Sequence, residues 1–321
     1  MRFLKGHMGG NTILLLLEED LGEEEDPLER VLRACSSEVL ACHEAGILGR
    51  SPRKNALRLR IAARTSRAYI SACGGLTQVL GRALALTELD KLLGLEIHRP
   101  GISSVLLETS GGPVPLRIEI GEDGITTWTE MRSFAEEIMA SGMEPMTIRG
   151  ISLLRMGKFL VLQGEDLQRA LPEANIAALD SPTRRIIEEI QKEFLALRPQ
   201  ASKDLALYDH KGSGASPIRV IFPHWLPENH IEPACGTGTV AVGMAILQRS
   251  GGVSRGGKKL SFSMESGGAP ILGGPDRSSL ELTLERGVIR KAAFSHSFVE
   301  LTARGEIPEG GDRAFSMREK T

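Results

Sequence analysis

Cysteine is scarce in this chain of 321 residues, and its four copies stand at positions 35, 42, 73 and 235. No two of them have the Cys-x-x-Cys spacing that is typical of structural zinc sites, so we expect no bound metal ion. In a reducing cytoplasm all four are expected to be free thiols. The question is then which of these thiols react.

The chain also lacks a large excess of charge of either sign and any long apolar run. The 39 lysine and arginine residues nearly balance the 41 aspartate and glutamate residues, which argues against a nucleic-acid partner. The best apolar run near the N-terminus, Ile13 to Leu17, has five residues, whereas about 20 are needed to cross a bilayer. Acidic residues follow it directly, which suits a strand better than a signal peptide. We expect a cytoplasmic protein with no membrane segment.

Hydrophobic periodicity predicts an α/β chain in which strands and helices are mixed. Arg2 to Leu17 is predicted as a strand broken by a turn at Gly9-Gly10-Asn11. Pro27 to Ala45 is predicted as one helix, with Cys35 and Cys42 as small buried residues on one face. Strands are expected over residues 57–63, 67–72, 116–120, 126–131, 145–154, 159–163, 217–222, 259–264, 280–284, 292–294 and 298–303, and a further helix over residues 181–197.

The chain also shows a crude duplication, because each half has strands, then a Cys-Gly element, then an apolar helix. Cys73 precedes a predicted helix from Leu76 to Leu86, and Cys235 precedes one that runs to Ile246. The turn-rich segment from Glu108 to Pro115 predicts a domain boundary between them. The expected domains are residues 1–112, completed by a tail from about residue 302 to 321, and residues 113–301.

Both Cys-Gly elements stand where a helix begins, which suits a reactive thiol. The first helical turn leaves backbone N–H groups unpaired, and together with the helix dipole they stabilise an anion such as a thiolate. Glycine lets a substrate approach closely, so the same N–H groups can hold a carboxylate. If the two halves face one another, one thiolate removes a proton beside that carboxylate and the other thiol protonates the opposite face. Spacing alone leaves open that both cysteines are buried structural residues.

Several segments resemble the diaminopimelate epimerase and proline racemase superfamily. Residues 234–239 (Ala-Cys-Gly-Thr-Gly-Thr) are similar to its second catalytic motif, and residues 72–75 (Ala-Cys-Gly-Gly) are similar to its first. Residues 9–12 (Gly-Gly-Asn-Thr) resemble the opening Gly-Asn turn, whose asparagine touches substrate in the family. Residues 42–47 and 298–307 resemble further family segments, and all of them follow the family order.

The resemblance implies a fold of two similar halves, each a barrel-like β-sheet around a central helix, with the active site in the cleft between them. It implies an amino-acid racemase or epimerase that uses no cofactor, pyridoxal phosphate included, and that often forms a homodimer. Cys73 and Cys235 are then the catalytic pair. The substrate-binding residues expected from the resemblance and its motif positions are Asn11, Arg64, Gly74, Gly75, Lys158, Gly236, Thr237 and Gly238.

Several positions depart from the family pattern and indicate a substrate other than diaminopimelate. Arg64 stands where the family has asparagine, Met156-Gly157-Lys158 where it has Asn-Pro-His, and Leu226 to His230 where it has Glu-Arg. Arg64 and Lys158 would suit a substrate carboxylate, and the alternative for both is an exposed, solvated charge. Relatives on this fold shift double bonds by similar proton transfers. An allylic isomerase of a di- or tricarboxylic acid therefore stays open, as does a homologue that binds an amino acid without turning it over.

Two other patterns point elsewhere. Gly236-x-Gly238-x-x-Ala241 fits a loose dinucleotide-binding pattern, but a long loop precedes it and no acidic residue follows about 20 positions later. Cys235 would also suit a Cys–His nucleophile pair, which would leave Cys73 without a role. The partners near it for such a pair are His224, His230 and Glu232.

Overall fold

The structure of the protein, a computed structural model, describes residues 1–22, 26–157, 159–174, 181–198, 204–210, 218–224, 230–251, 257–266 and 276–307. Its internal contacts divide the chain into two units. The N-terminal unit contains Met1–Met8, Thr12–Ile125 and the residues from Val299 onward. The C-terminal unit contains Gly9–Asn11 and Thr126–Phe298.

Strands dominate the secondary structure. They are β1 (Arg2–Met8), β2 (Asn11–Leu17), β3 (Glu44–Arg50), β4 (Ala56–Ala63), β5 (Ala68–Ile70), β6 (Gly101–Thr109), β7 (Gly112–Gly121), β8 (Gly124–Glu130), β9 (Met143–Ile148), β10 (Ile151–Met156), β11 (Phe159–Gln163), β12 (Leu205–Asp209), β13 (Ile218–His224), β14 (His230–Glu232), β15 (Lys258–Ser266), β16 (Arg277–Glu285), β17 (Val288–His296) and β18 (Val299–Glu306). The helices are α1 (Pro27–Ser36), α2 (Gly74–Leu86), α3 (Leu89–Leu93), α4 (Arg132–Ser141), α5 (Gly164–Ala170), α6 (Ser181–Leu197) and α7 (Gly236–Arg249). None of these helices is long and apolar enough to cross a membrane.

The N-terminal unit is a sheet around one buried helix. β2 runs parallel to β3, β3 antiparallel to β4, and β4 parallel to β6, which forms a hairpin with β7. β18 pairs antiparallel with β1 and so joins this sheet. α2 packs on β1, β3, β7 and β18, and 11 of its 13 residues are buried. A helix that is apolar on all sides needs cover of this kind.

The C-terminal unit has the same general plan. β11 runs parallel to β12, β12 antiparallel to β13, and β13 parallel to β15. β15, β16 and β17 form an antiparallel meander, and β17 also pairs with β8. α7 packs on β10, β11, β12, β16 and β17, and 11 of its 14 residues are buried.

The chain makes the same connection around each cysteine. β4 forms a hairpin with β5, the chain enters α2, and it returns as β6, parallel to β4. Likewise β13 forms a hairpin with β14, the chain enters α7, and it returns as β15, parallel to β13. Cys73 follows the end of β5 by three residues, and Cys235 follows the end of β14 by three. The predicted duplication of strands, a Cys-Gly element and an apolar helix is therefore present.

The helix predicted over Pro27 to Ala45 is wrong in its second half, because α1 ends before Ser37. The backbone of Ser37 is extended, and its hydroxyl donates to the carbonyl oxygen of Ala34 at 2.9 Å. The hydroxyl oxygen of Ser37 also accepts the backbone N–H of Leu40 at 3.2 Å, and the two bonds hold the chain in a turn. Val39, which the predicted helix would have buried, is 78% exposed. Ala45, the last residue of the predicted helix, and Gly46 after it lie within β3 instead.

The turn-rich segment from Glu108 to Pro115 holds the tight turn of the β6–β7 hairpin. The hydroxyl of Thr109 donates to the carbonyl oxygen of Gly112 at 2.8 Å, and Gly112 has a φ of 107° that suits glycine. Turn residues mark hairpins as readily as domain boundaries, so the sequence pattern did not distinguish the two. The chain passes from one unit to the other within β8, between Ile125 and Thr126.

Candidate active site

Cys73 is the residue from which α2 begins. Its backbone is extended (φ −148°, ψ 112°), and the N–H of Leu76 donates to its sulfur at 3.3 Å. The sulfur thus takes the capping role that a side-chain oxygen has in serine or aspartate. Gly74 and Gly75 form the first helical turn and have no side chain to cover its N–H groups. The half-buried thiol therefore lies at the positive end of the helix dipole, where a thiolate is stabilised.

Cys235 begins α7 in the same way. The N–H of Gly238 donates to its sulfur at 3.4 Å, and the hydroxyl oxygen of Thr237 also lies 3.4 Å from the sulfur. Thr239 secures the turn, because its N–H and its hydroxyl donate to the carbonyl oxygen of Cys235 at 2.9 Å and 2.7 Å. Gly236 completes this turn and is buried. The side chain of Cys235 is only 7% exposed, so it is the less accessible of the two capping thiols.

Gly238 lets the start of α7 lie directly on a buried aromatic ring. A methyl group at this position would stand 2.4 Å from Cε1 of Phe222 and 3.3 Å from Cβ of Cys235. No carbon pair tolerates the first distance, and the ring of Phe222 has no exposed surface. The position of the Cys235 turn therefore depends on the absence of a side chain at residue 238.

Asn11, expected to touch substrate, is bonded to a carboxylate near Cys235. Its side chain is 1% exposed, and Nδ2 donates to Oε1 of Glu232 at 2.9 Å. Glu232 ends β14, three residues before Cys235. Asn11 and Glu232 are 221 residues apart in sequence, so no local pattern links them. The sequence indicates Glu232 only as a partner in a Cys–His pair at Cys235, and it gives no sign of the contact with Asn11.

Arg64 follows β4, and its backbone N–H donates to the carbonyl oxygen of His43 at 2.9 Å. Its half-buried side chain brings a positive charge near the thiols of Cys35 and Cys42, where it favours the thiolate of each. A role of Arg64 in binding a substrate at Cys73 stays a prediction.

Three other predicted positions fall outside the part of the chain that the structure describes: Lys158 and the side chains of His224 and His230. The dinucleotide-binding interpretation of residues 236–241 is not supported by the topology. The strand before the motif, β14, has three residues and pairs antiparallel with β13, whereas the fingerprint follows a parallel strand. Within the described residues, no three His, Cys, Asp or Glu side chains are arranged to hold a metal ion.

Cys35 and Cys42 contrast with the two capping cysteines. Both lie in the apolar cluster beside α1, and neither has exposed surface. Burial in this cluster raises the pKa of Cys35 to about 12 and the pKa of Cys42 to about 11. The carboxylate of Glu44 raises both pKa values further, since it disfavours a second negative charge nearby. These are structural thiols, as the sequence predicted.

Alkylation should separate the two classes of thiol. At pH 8 a thiol with a pKa of about 12 is ionised in roughly one molecule in ten thousand, and a buried one also excludes the reagent. We expect iodoacetamide to label Cys73 first and Cys235 more slowly, with Cys35 and Cys42 labelled only after denaturation. Peptide mass spectrometry over a time course measures this order. Labelling of Cys35 in the native protein as fast as Cys73 would contradict it.

No protein-family model matches the chain, and no curated protein matches it in sequence. Solved structures do match. A hydroxyproline epimerase from Agrobacterium vitis, with trans-4-hydroxy-L-proline bound, is 16% identical with a TM-score of 0.61 over 96% of this chain and 90% of that chain. A PhzF-family phenazine biosynthesis protein from Bacillus anthracis is 14% identical with a TM-score of 0.60 over 96% and 98%. A methylitaconate delta-isomerase is 12% identical with a TM-score of 0.60 over 95% and 94%.

The chain has the diaminopimelate epimerase-like fold. This confirms the resemblance found in residues 9–12, 72–75 and 234–239 and the fold that the resemblance implied. Identities of 12% to 16% establish the fold and not the activity, since one fold hosts several reactions. The function of the protein has to be argued from its own residues.

Proposed function

We propose that the protein is a cofactor-independent racemase or epimerase of an amino acid, with Cys73 and Cys235 as its two bases. The observation that supports this most directly is the matched pair of helix starts. In each, a backbone N–H donates to the cysteine sulfur, and small residues form the first turn. An inversion needs a base on one face of the α-carbon and an acid on the opposite face, and two cysteines, one ionised and one protonated, supply both.

In the proposed reaction one cysteine is a thiolate and the other is a thiol. The thiolate sulfur takes the α-proton, and the electron pair of the broken C–H bond moves toward the substrate carboxylate. The thiol then gives its proton to the opposite face of the α-carbon, whose configuration is inverted. Nothing is oxidised or reduced, and the two sulfurs end with exchanged protonation states that suit the reverse reaction.

The first turns of α2 and α7 are proposed to hold the substrate carboxylate. Negative charge on this carboxylate grows as the α-proton leaves, so N–H groups aimed at it stabilise the transition state more than the ground state. The residues that would supply these groups are Gly74, Gly75, Gly236, Thr237 and Gly238. The proposal requires both sulfurs to approach one substrate from opposite faces.

Glu232 favours an amino acid over a di- or tricarboxylic acid. Its carboxylate is bonded to Asn11 and precedes Cys235 by three residues. We propose that the carboxylate of Glu232, on the strand that leads to Cys235, attracts a substrate ammonium group and disfavours an additional carboxylate. Amino-acid racemisation is therefore proposed ahead of allylic isomerisation.

Proton exchange in deuterium oxide tests the proposal. The protein, without added cofactor, is incubated with L- and D-amino acids, including proline and hydroxyproline, and with unsaturated di- and tricarboxylic acids. We expect α-deuterium and the inverted enantiomer to appear together, measured by NMR and chiral chromatography. Hydroxylamine, which traps carbonyl cofactors, should leave the rate unchanged.

Two outcomes would contradict the proposal. Deuterium incorporation with migration of a double bond would assign an allylic isomerase. Binding of an amino acid with no exchange across the panel would assign a non-catalytic binding protein.

A further inference from the structure

A buried polar array lies at the ends of β15, β16 and β17 and has no part in the proposed proton transfer. The side chains of Asp276 and His296 are both 0% exposed, and Nε2 of His296 lies 2.5 Å from Oδ1 of Asp276. The hydroxyl of Ser266 donates to Oδ2 of Asp276 at 2.6 Å. This is not a nucleophilic triad, because the hydroxyl is bonded to the carboxylate and not to the imidazole. Because the side chains of Asp276 and His296 have no exposed surface, neither of them touches a substrate.

The array is packed against the turn between β1 and β2. A methyl group at Gly9 would stand 2.8 Å from Oδ2 of Asp276 and 2.9 Å from Cβ of Ala234, so Gly9 fits between these two residues only as glycine. Its φ of 55° also favours glycine. On the other side, Nδ1 of His296 lies 3.1 Å from both the N and the O of Phe298, and that oxygen accepts the N–H of Gly9 at 2.9 Å.

Two of the residues in these contacts, Gly9 and Ala234, neighbour residues of the candidate site. Ala234 immediately precedes Cys235, and Gly9 precedes Asn11 by one turn residue. Asn11 in turn donates to Glu232 on the strand that leads to Cys235. A continuous series of contacts therefore runs from Asp276 to the Gly9–Asn11 turn, from Asn11 to Glu232, and from Glu232 along the chain to Cys235.

We infer that Asp276 and His296 are positioning residues, which fix the Gly9–Asn11 turn and the Ala234–Cys235 segment in register. The inference rests on the proposed function for its catalytic consequence. Burial of two polar side chains adds little net stability, because the loss of water offsets their attraction. What the pair supplies here is a fixed surrounding for a turn that has no side chain at Gly9: Asp276 packs on Gly9, and His296 holds Phe298, whose carbonyl oxygen accepts the N–H of Gly9.

The test is Asp276→Asn, which keeps the shape of the side chain and removes its charge. We expect the alkylation rate of Cys235 to rise about tenfold, since loosening of the Ala234–Cys235 segment exposes a sulfur that is now nearly buried. We also expect kcat to fall by about 100-fold, the loss that a misplacement of about 1 Å typically causes. Ser266→Ala keeps Asp276 and His296 and removes one hydrogen bond to Asp276, so it should move both quantities in the same direction by a smaller factor. It provides the measurement if Asp276→Asn does not fold.

Asp166→Asn is the matched control. Asp166 is a nearly buried carboxylate of the same unit, bonded to Arg249 at 2.6 Å, and Arg249 is the last residue of α7, at the opposite end from Cys235. This variant should lose stability while the alkylation rate of Cys235 and kcat stay near those of the unmodified protein. Equal acceleration of alkylation in Asp166→Asn and Asp276→Asn would show a general loss of stability and overturn the inference.

The two readouts separate the inference from the proposed function. Unchanged alkylation of Cys235 in both Asp276→Asn and Ser266→Ala would overturn the positioning role, whatever the activity. Absence of α-proton exchange in the unmodified protein, with accelerated alkylation in Asp276→Asn, would refute the racemase proposal and leave the positioning of Cys235 supported.

Discussion

Replacement of Cys73 or Cys235 with alanine is expected to lower kcat for racemisation by about 10²- to 10⁴-fold, the range that a positioned acid or base contributes. Either change should have this effect from either enantiomer, because one turnover needs a base on one face and an acid on the other. The measurement is the rate of optical change with each enantiomer as the starting substrate. Full activity in either variant would end the two-base proposal.

Each of these variants should still exchange the α-proton of one enantiomer with solvent. With Cys73 removed, Cys235 can still take the α-proton from one enantiomer and return a deuteron to the same face. With Cys235 removed, the other enantiomer should exchange. We therefore expect exchange without inversion in each variant, with opposite stereochemical preference. Cys42→Ala is the control, because Cys42 is buried in the cluster beside α1 and should affect stability while kcat is maintained.

Gly238→Ala is expected to have the second largest effect. The added methyl group would meet the ring of Phe222 at 2.4 Å, and that buried ring has no free space to enter. Overpacking of a core costs about 1–3 kcal/mol, which exceeds the gain of up to about 1 kcal/mol from replacing a helical glycine with alanine. We expect a lower free energy of unfolding and, because the first turn of α7 must shift, a loss in kcat on the order of 100-fold.

Gly243→Ala on the same helix provides the matched comparison. Its methyl group would also meet an atom at 2.4 Å, but that atom is Cδ2 of Leu280, the end of a flexible side chain. A small rotation of Leu280 relieves the contact, and alanine favours the helix. We expect the free energy of unfolding to change by less than about 1 kcal/mol and kcat to be maintained. Urea unfolding followed by circular dichroism, together with kcat, distinguishes the two; equal losses in both variants would refute a specific role for residue 238.

Local features of the chain were predictable from sequence. The Gly9-Gly10 turn separates two apolar runs, and both Cys-Gly elements precede helices that are apolar on every side, so pattern and composition agree with the structure at these places. α1 was predicted nine residues too long, since its apolar spacing continues past the point where the hydroxyl of Ser37 diverts the chain. Periodicity does not report such a side-chain hydrogen bond.

Long-range contacts of the candidate site were not predictable. Asn11 is hydrogen-bonded to Glu232, 221 residues later in the chain. Asp276 contacts His296 across the hairpin of β16 and β17. In the sequence nothing distinguishes these polar residues from polar residues on the surface. Only the pairing of strands makes them buried partners, and strand pairing is set by the whole sheet and not by any window of neighbouring residues.

The pairing of β1 with β18 has a consequence for synthesis of the chain. The N-terminal amino group donates to the carbonyl oxygen of Ile307, 306 residues later, beside the strand pair that completes the N-terminal sheet. Ribosomes add roughly 5–20 residues per second, so one edge of β1 waits roughly 10–35 seconds while Thr126–Phe298 is made. An open strand edge is a template for wrong pairing, and this interval is when the nascent chain most needs protection. The unit that leaves the ribosome first is the one whose sheet is finished last.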